Sequence, residues 1–206
     1  AGMAERLITE DTDILVIPMA NPESDAEMQL YRRLAESQRV DAMIVHSPRP
    51  NDQRIALLHE LGMPFLVHGR SDIDVPHPWL DIDNEGAVRR ATSHLIDLGH
   101  TRIAMINGRQ GATYALHRDI GYRSALQSYG IDVDPQLIAN GNFTDELGFR
   151  FARSFLEHPK RPTAFVDGSM MTALGIYRAA RSLGLQIGSD VSVIAHDDVF
   201  PYLTAD

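Results

Sequence analysis

An α/β fold with parallel sheets, divided into two lobes, is predicted by three features of the sequence. Short apolar runs alternate with amphipathic stretches from end to end. Four of the amphipathic stretches stop at a glycine, and a new apolar run begins within a few residues. One proline-bearing stretch, residues 71–78, breaks that rhythm and marks a crossover between lobes.

The apolar runs cover residues 14–17, 42–45, 64–67, 102–107, 163–166 and 191–195, with a weaker strand at 136–139. Near-continuous apolar runs of four to six residues read as parallel strands covered on both faces. Between them, residues 26–38 place Met28, Leu30, Tyr31, Leu34 and Ala35 at helical spacing. Ile55, Leu58 and Leu61 do the same, as do Val88, Ala91, Leu95 and Leu98; residues 121–129, 147–156 and 174–183 complete the series. Gly62, Gly99, Gly130 and Gly184 are expected at the left-handed position that ends a helix. Asn84 suits an N-cap. The lobes are therefore expected at 1–82 and 83–206.

Composition bounds the function. The chain has 206 residues and a net charge of -9, which argues against this stretch itself wrapping a polyanion. It has no cysteine, excluding a disulfide scaffold, a thiolate zinc site and a cysteine nucleophile. No apolar run is long enough to cross a bilayer, and residues 1–10 carry no secretory leader. A partner membrane is not expected.

Polar and small residues follow every run: Met19 to Asn21, His46 to Pro48, His68 to Arg70, Asn107 to Arg109, Asp167 to Ser169 and His196 to Asp198. In open parallel sheets ligands bind beyond the carboxyl ends of the strands, so these segments predict a polar-lined cleft. Motifs for chemistry are missing: there is no nucleophile elbow, dinucleotide fingerprint, P-loop or metalloprotease helix. His46, His68 and His196 each follow a strand but are split between the lobes, so neither a metal nor a cofactor is expected. A phospho-acceptor role for Asp167 would need a suitably placed lysine, and the chain has only Lys160. A hydrolase or transferase is disfavoured on these grounds, and no catalytic residue is assigned.

Several segments resemble one family in order and spacing. Residues 94–108 (HLIDLGHTRIAMING), 118–126 (RDIGYRSAL), 173–180 (ALGIYRAA), 190–198 (DVSVIAHDD) and 78–87 (PWLDIDNEGA) are similar to segments of lactose-repressor (LacI/GalR) family regulators. The resemblance implies a periplasmic-binding-protein-like fold: two Rossmann-like lobes closing over a small effector, here expected to be a sugar. It further implies a cytoplasmic homodimer that acts on operator DNA through a helix-turn-helix not present in this sequence. By the same comparison, the first strand of the N-terminal lobe and the segment returning to it lie outside these 206 residues. The alternative in another class is a sugar-binding protein of an ABC transporter.

The resemblance also marks ligand residues. Arg118 matches the arginine three positions before the helix glycine, where a guanidinium binds ligand oxygens in pairs. Tyr114 shares its helix face if that segment is already helical; simple loop packing is the rival reading. Asp197 matches the first aspartate of the D-D pair and would accept from hydroxyls, with Asp198 the better helix cap. Phe143 matches a ring-stacking position, with core packing as its rival. His46, His68 and Arg70 follow strands of the first lobe, where Arg70 either meets ligand or closes the cleft through an ion pair. Ser169 stands where the family often has asparagine, and Met170 where an aspartate is common, a departure that removes one acceptor.

Overall fold

The computed structural model describes residues 10, 12–17 and 25–197. The chain divides into two compact units. The first runs to His46 and resumes at Asn51–Leu80; the second comprises Ser47–Pro50 and the chain from Asp81 onward.

In the first unit, helix α1 (Asp25–Glu36) precedes strand β1 (Met43–His46), helix α2 (Gln53–Glu60), strand β2 (Phe65–His68) and the short strand β3 (Trp79–Leu80). The three strands pair in parallel in the order β1-β2-β3. Val45, Val67, Ile55 and Leu58 form the core, with Tyr31, Leu34 and Phe65 packed against it. Strand β1 alternates buried and exposed residues, so its side chains are covered on one face only, where a strand covered on both faces was expected. A second expectation fails outright. Residues 12–17 are not a strand, and Ile14, Leu15, Val16 and Ile17 are exposed. A strand needs a ladder partner, and among the described residues none pairs with this run.

The second unit carries helix α3 (Asn84–Asp97), strand β4 (Ile103–Asn107), helix α4 (Thr113–Ser128), strand β5 (Ile138–Asn140), helix α5 (Asp145–Leu156), strand β6 (Ala164–Asp167), helix α6 (Met170–Ser182) and strand β7 (Ser192–Ala195). All pairings are parallel, in the order β5-β4-β6-β7. The two interior strands are buried along their whole length. Their alternation sorts the core into two layers. Ile103, Met105, Ala164 and Val166 meet Val88, Leu95, Tyr122 and Leu126 of α3 and α4. Ala104, Ile106 and Phe165 meet Ala152, Leu156, Ile176 and Ala179 of α5 and α6.

Glycines let the paired helices touch. A Cβ on Gly121 would lie 2.2 Å from the Glu85 carbonyl oxygen, and one on Gly175 would lie 2.0 Å from that of Asp145. The four helix-ending glycines take φ values of 62° to 95°, as the left-handed stop requires. One capping residue differs from expectation. Asp83, not Asn84, caps α3: its Oδ1 accepts from the Gly86 amide at 2.8 Å, leaving the Asn84 side chain for another task.

Candidate functional site

The carboxyl ends of β4 and β6 gather most of the predicted residues of the second unit around Arg118. This side chain sits on the second turn of α4 and is 6% exposed. Its Nε donates to Asn84 Oδ1 and its Nη1 to the Gly168 carbonyl, each at 2.9 Å. Tyr114 and Phe143 both pack against the guanidinium, with ring centroids 5.2 Å and 5.9 Å from Cζ. The two rings are 6.2 Å apart and tilted.

Backbone without side chain makes this packing possible. A Cβ on Gly108, just past β4, would meet the Tyr114 ring at 2.3 Å. One on Gly168, just past β6, would meet the Phe143 ring at 2.6 Å and Arg118 Nη1 at 3.1 Å. Asn107 braces the first turn of α4, donating from Nδ2 to the Ala115 carbonyl and accepting the Gly108 amide on Oδ1, both at 2.8 Å. Asn84 is itself tied to Asp81 Oδ1 at 3.2 Å. Burial pushes the Arg118 pKa down, opposed by Tyr114, Asp197, Asp167 and Asp81. Nη2 makes no hydrogen bond among the described residues. The arrangement presents a fixed, desolvated donor beside two aromatic rings, suited to oxygens on a small ring-bearing molecule.

The other predicted residues of this unit lie close by in different roles. Ser169 caps α6, its Oγ accepting from the Met171 amide. Asp197 is exposed, has a left-handed φ of 73°, and lies 3.2 Å from His196 Nε2. A non-glycine residue in that region is strained, a feature that collects at ligand sites. Asp198 lies outside the described residues.

In the first unit, His46 and His68 are register partners at the ends of β1 and β2. Their rings stack at 5.0 Å with Nδ1 to Nδ1 at 2.9 Å, so one Nδ1 carries the proton and the other accepts it. Loss of water around the ring, then His68 and Arg54, push the His46 pKa down. Arg70 stacks on Trp79, with Cζ 5.4 Å from the ring. Beneath His46 lies a buried ionic cluster that sequence reading missed. Arg54 bonds Asp52 Oδ2 at 2.6 Å and Glu27 Oε1 at 3.2 Å, with Nη2 turned to the His46 carbonyl at 3.5 Å. A cavity of about 350 Å³ lined by Val40, Asp41 and Met63 sits at the opposite, amino end of this sheet, away from these residues. Among the described residues no three His, Cys, Asp or Glu side chains converge as metal ligands, and no helix is long and apolar enough to cross a membrane.

Comparison with known proteins fits this architecture. The family model described as periplasmic binding proteins and sugar binding domain of LacI family matches residues 1–206. A LacI-family regulatory protein from Chloroflexus aggregans has a crystal structure that superposes with a TM-score of 0.80 at 31% identity, over 95% of this chain and 70% of that one. The chain belongs to the LacI family. Among LacI-family relatives, the HTH-type transcriptional regulator AglR of Rhizobium meliloti (strain 1021) is 43% identical over 98% of this chain and 56% of its own length. The structure of the regulator CelR in complex with cellobiose is 35% identical, with a TM-score of 0.75, over 85% of this chain and 54% of that one. The chain thus spans about half the length of the curated LacI-family regulators it matches. It is the effector-domain portion of the family fold, with α/β units on parallel sheets.

Proposed function

We propose that this chain is the effector-binding region of a transcriptional regulator, that its effector is a sugar, and that it performs no chemistry. The observation that carries this is the anchored Arg118. Two of its donors are committed to neutral oxygens, one nitrogen is left over, and two aromatic rings lie against it. Sugar hydroxyls need donors and acceptors on burial, since an unsatisfied hydroxyl costs about 1–3 kcal/mol, while aromatic rings cover the apolar faces of the pyranose. Asp197, exposed nearby, is the acceptor. The CelR–cellobiose complex supports the same class. In the whole protein, effector binding would shift a conformational equilibrium of a cytoplasmic homodimer whose operator contacts are made by a helix-turn-helix outside this sequence.

The test is thermal denaturation of the protein against mono- and disaccharides, purines and sugar phosphates. A ligand at 100 times its dissociation constant adds about 2.7 kcal/mol to stability. One sugar is expected to raise the melting temperature, and Arg118→Ala to abolish that shift. A response to nucleobases or phosphates alone overturns the sugar, and a shift that survives Arg118→Ala overturns the site.

A further inference from the structure

Asn84 opens helix α3, but Asp83 does the capping, and the Asn84 side chain is 3% exposed with both of its polar atoms engaged elsewhere. Its Oδ1 accepts from Arg118 Nε at 2.9 Å. Its Nδ2 donates to Asp81 Oδ1 at 3.2 Å and to the Ile82 carbonyl at 3.3 Å. The backbone closes the same turn: the Ile82 amide donates to Asp81 Oδ1 and the Asn84 amide to the Ile82 carbonyl, both at 2.8 Å. These partners fix which way the amide faces. Reversed, its Nδ2 would meet the Arg118 Nε–H, donor against donor, and its Oδ1 would meet two oxygens.

An amide and a carboxylate at this position treat a guanidinium differently. Arginine holds its five N–H bonds in a planar fork, with Nε–H and one Nη2–H along a common edge that a carboxylate grips with two oxygens at once. Asn84 brings a single oxygen to that edge and spends it on Nε, while the Gly168 carbonyl takes Nη1. Nη2 is thereby passed over. A carboxylate does lie behind the amide: the charge of Asp81 is felt at Arg118, while its Oδ1 serves Asn84 and Ile82. Asn84 thus bridges an anion and a buried cation, groups that otherwise pair directly when water is excluded.

We propose that Asn84 is a positioning residue for Arg118: an amide backed by Asp81, it occupies Nε alone, holds the Asp81 carboxylate off the guanidinium, and so leaves Nη2 as the donor for an effector oxygen. What Nη2 serves rests on the effector reading above; which donors are taken does not. Aspartate at position 84 has the same shape and the opposite effect. Its second oxygen would take Nη2 along the shared edge, and it would set two carboxylates face to face at the contact that Nδ2 now makes with Asp81.

The experiment is 15N NMR of the Arg118 guanidinium without effector, in the wild type, in Asn84→Asp and in Asn84→Asp/Asp81→Asn, with the signals assigned by their loss in Arg118→Lys. In the wild type, rotation about Cζ–Nη1 is expected to be slow and rotation about Cζ–Nη2 fast, with a scalar coupling from Arg118 Nε to the Asn84 side-chain carbonyl carbon. In Asn84→Asp the Cζ–Nη2 rotation is expected to slow by about tenfold or more, as that nitrogen gains a charge-assisted hydrogen bond. The double variant removes the facing carboxylates and supplies the same comparison should Asn84→Asp not fold. If neither folds, the wild type decides alone. A purely structural Asn84 would change stability without singling out Nη2. An Nη2 as slow as Nη1 in the wild type, a missing coupling to Asn84, or an Nη2 that ignores the aspartate overturns the proposal. Silence of the sugar panel, by contrast, overturns the effector reading and leaves these signals unchanged.

Discussion

At the scale of single residues, the histidine pair shows how register creates a titratable device. His46 and His68 meet because β1 and β2 pair in parallel with those two positions opposite each other. Two protonated rings cannot share one Nδ1 to Nδ1 hydrogen bond, and Arg54 adds a positive charge below. The folded pKa of His46 is thus depressed, so the unfolded chain binds more protons in the window beneath the ordinary histidine value of about 6.5. Stability from this residue is present above that value and is lost as pH falls toward the folded one. Replacement by His46→Gln is expected to make the loss of stability between pH 6.5 and 5 shallower, read by melting temperature; an acid limb as steep as the wild type's would disprove it. Single residues were also the most legible part of the candidate site. Arg118 stands out through the resemblance of residues 118–126 to the family segment, yet its hydrogen-bond partners do not. Asn84 and Gly168 lie 34 and 50 positions away, and Asn84 reads as a helix cap until the structure shows Asp83 doing that work.

At the scale of elements, strand and helix placement in the second unit follows from the apolar runs, because strands covered on both faces leave a continuous apolar signature. Residues 14–17 carry the same signature and form no strand, since a run states only that a segment can be buried, while a strand also needs a neighbour. What one-dimensional patterning hides is how closely helices approach. Gly121 seats α4 against α3, and Gly175 seats α6 against α5, with backbone carbonyls where a methyl would go. Neither glycine has a positive φ, so alanine meets no backbone strain at either position and the cost is purely one of contact. Gly121→Ala and Gly175→Ala are each expected to destabilise by about 1–3 kcal/mol as the helices are forced apart. Gly62→Ala, open around its Cβ but left-handed at φ 62°, would lose stability through conformation instead. Urea midpoints separate the cases: if Gly121→Ala and Gly175→Ala behave as neutral helix-favouring changes, the tight contacts are not there.

At the scale of the whole molecule, the two units are built to different standards, and their resistance to opening should differ accordingly. The second unit has two interior strands buried on both faces between two helix layers. Among the described residues the first shows one smaller cluster, a strand covered on one face and an exposed two-residue edge strand. Its buried Arg54 cluster does not redress the balance, because desolvating three charged groups consumes much of what their attraction returns. Local opening costs least where few apolar contacts cover the ladder. Native-state hydrogen exchange is therefore expected to protect Ile103–Asn107 and Ala164–Asp167 longest, Met43–His46 and Phe65–His68 for shorter times, and Trp79–Leu80 least. A sugar bound at Arg118 should lengthen protection first in Gly168 and Ser169 and in the first turns of α4, where its contacts lie. Equal protection of the β1 and β4 amides at every denaturant concentration would mean that the two units open as one cooperative body, and the difference in their cores would then have no thermodynamic consequence.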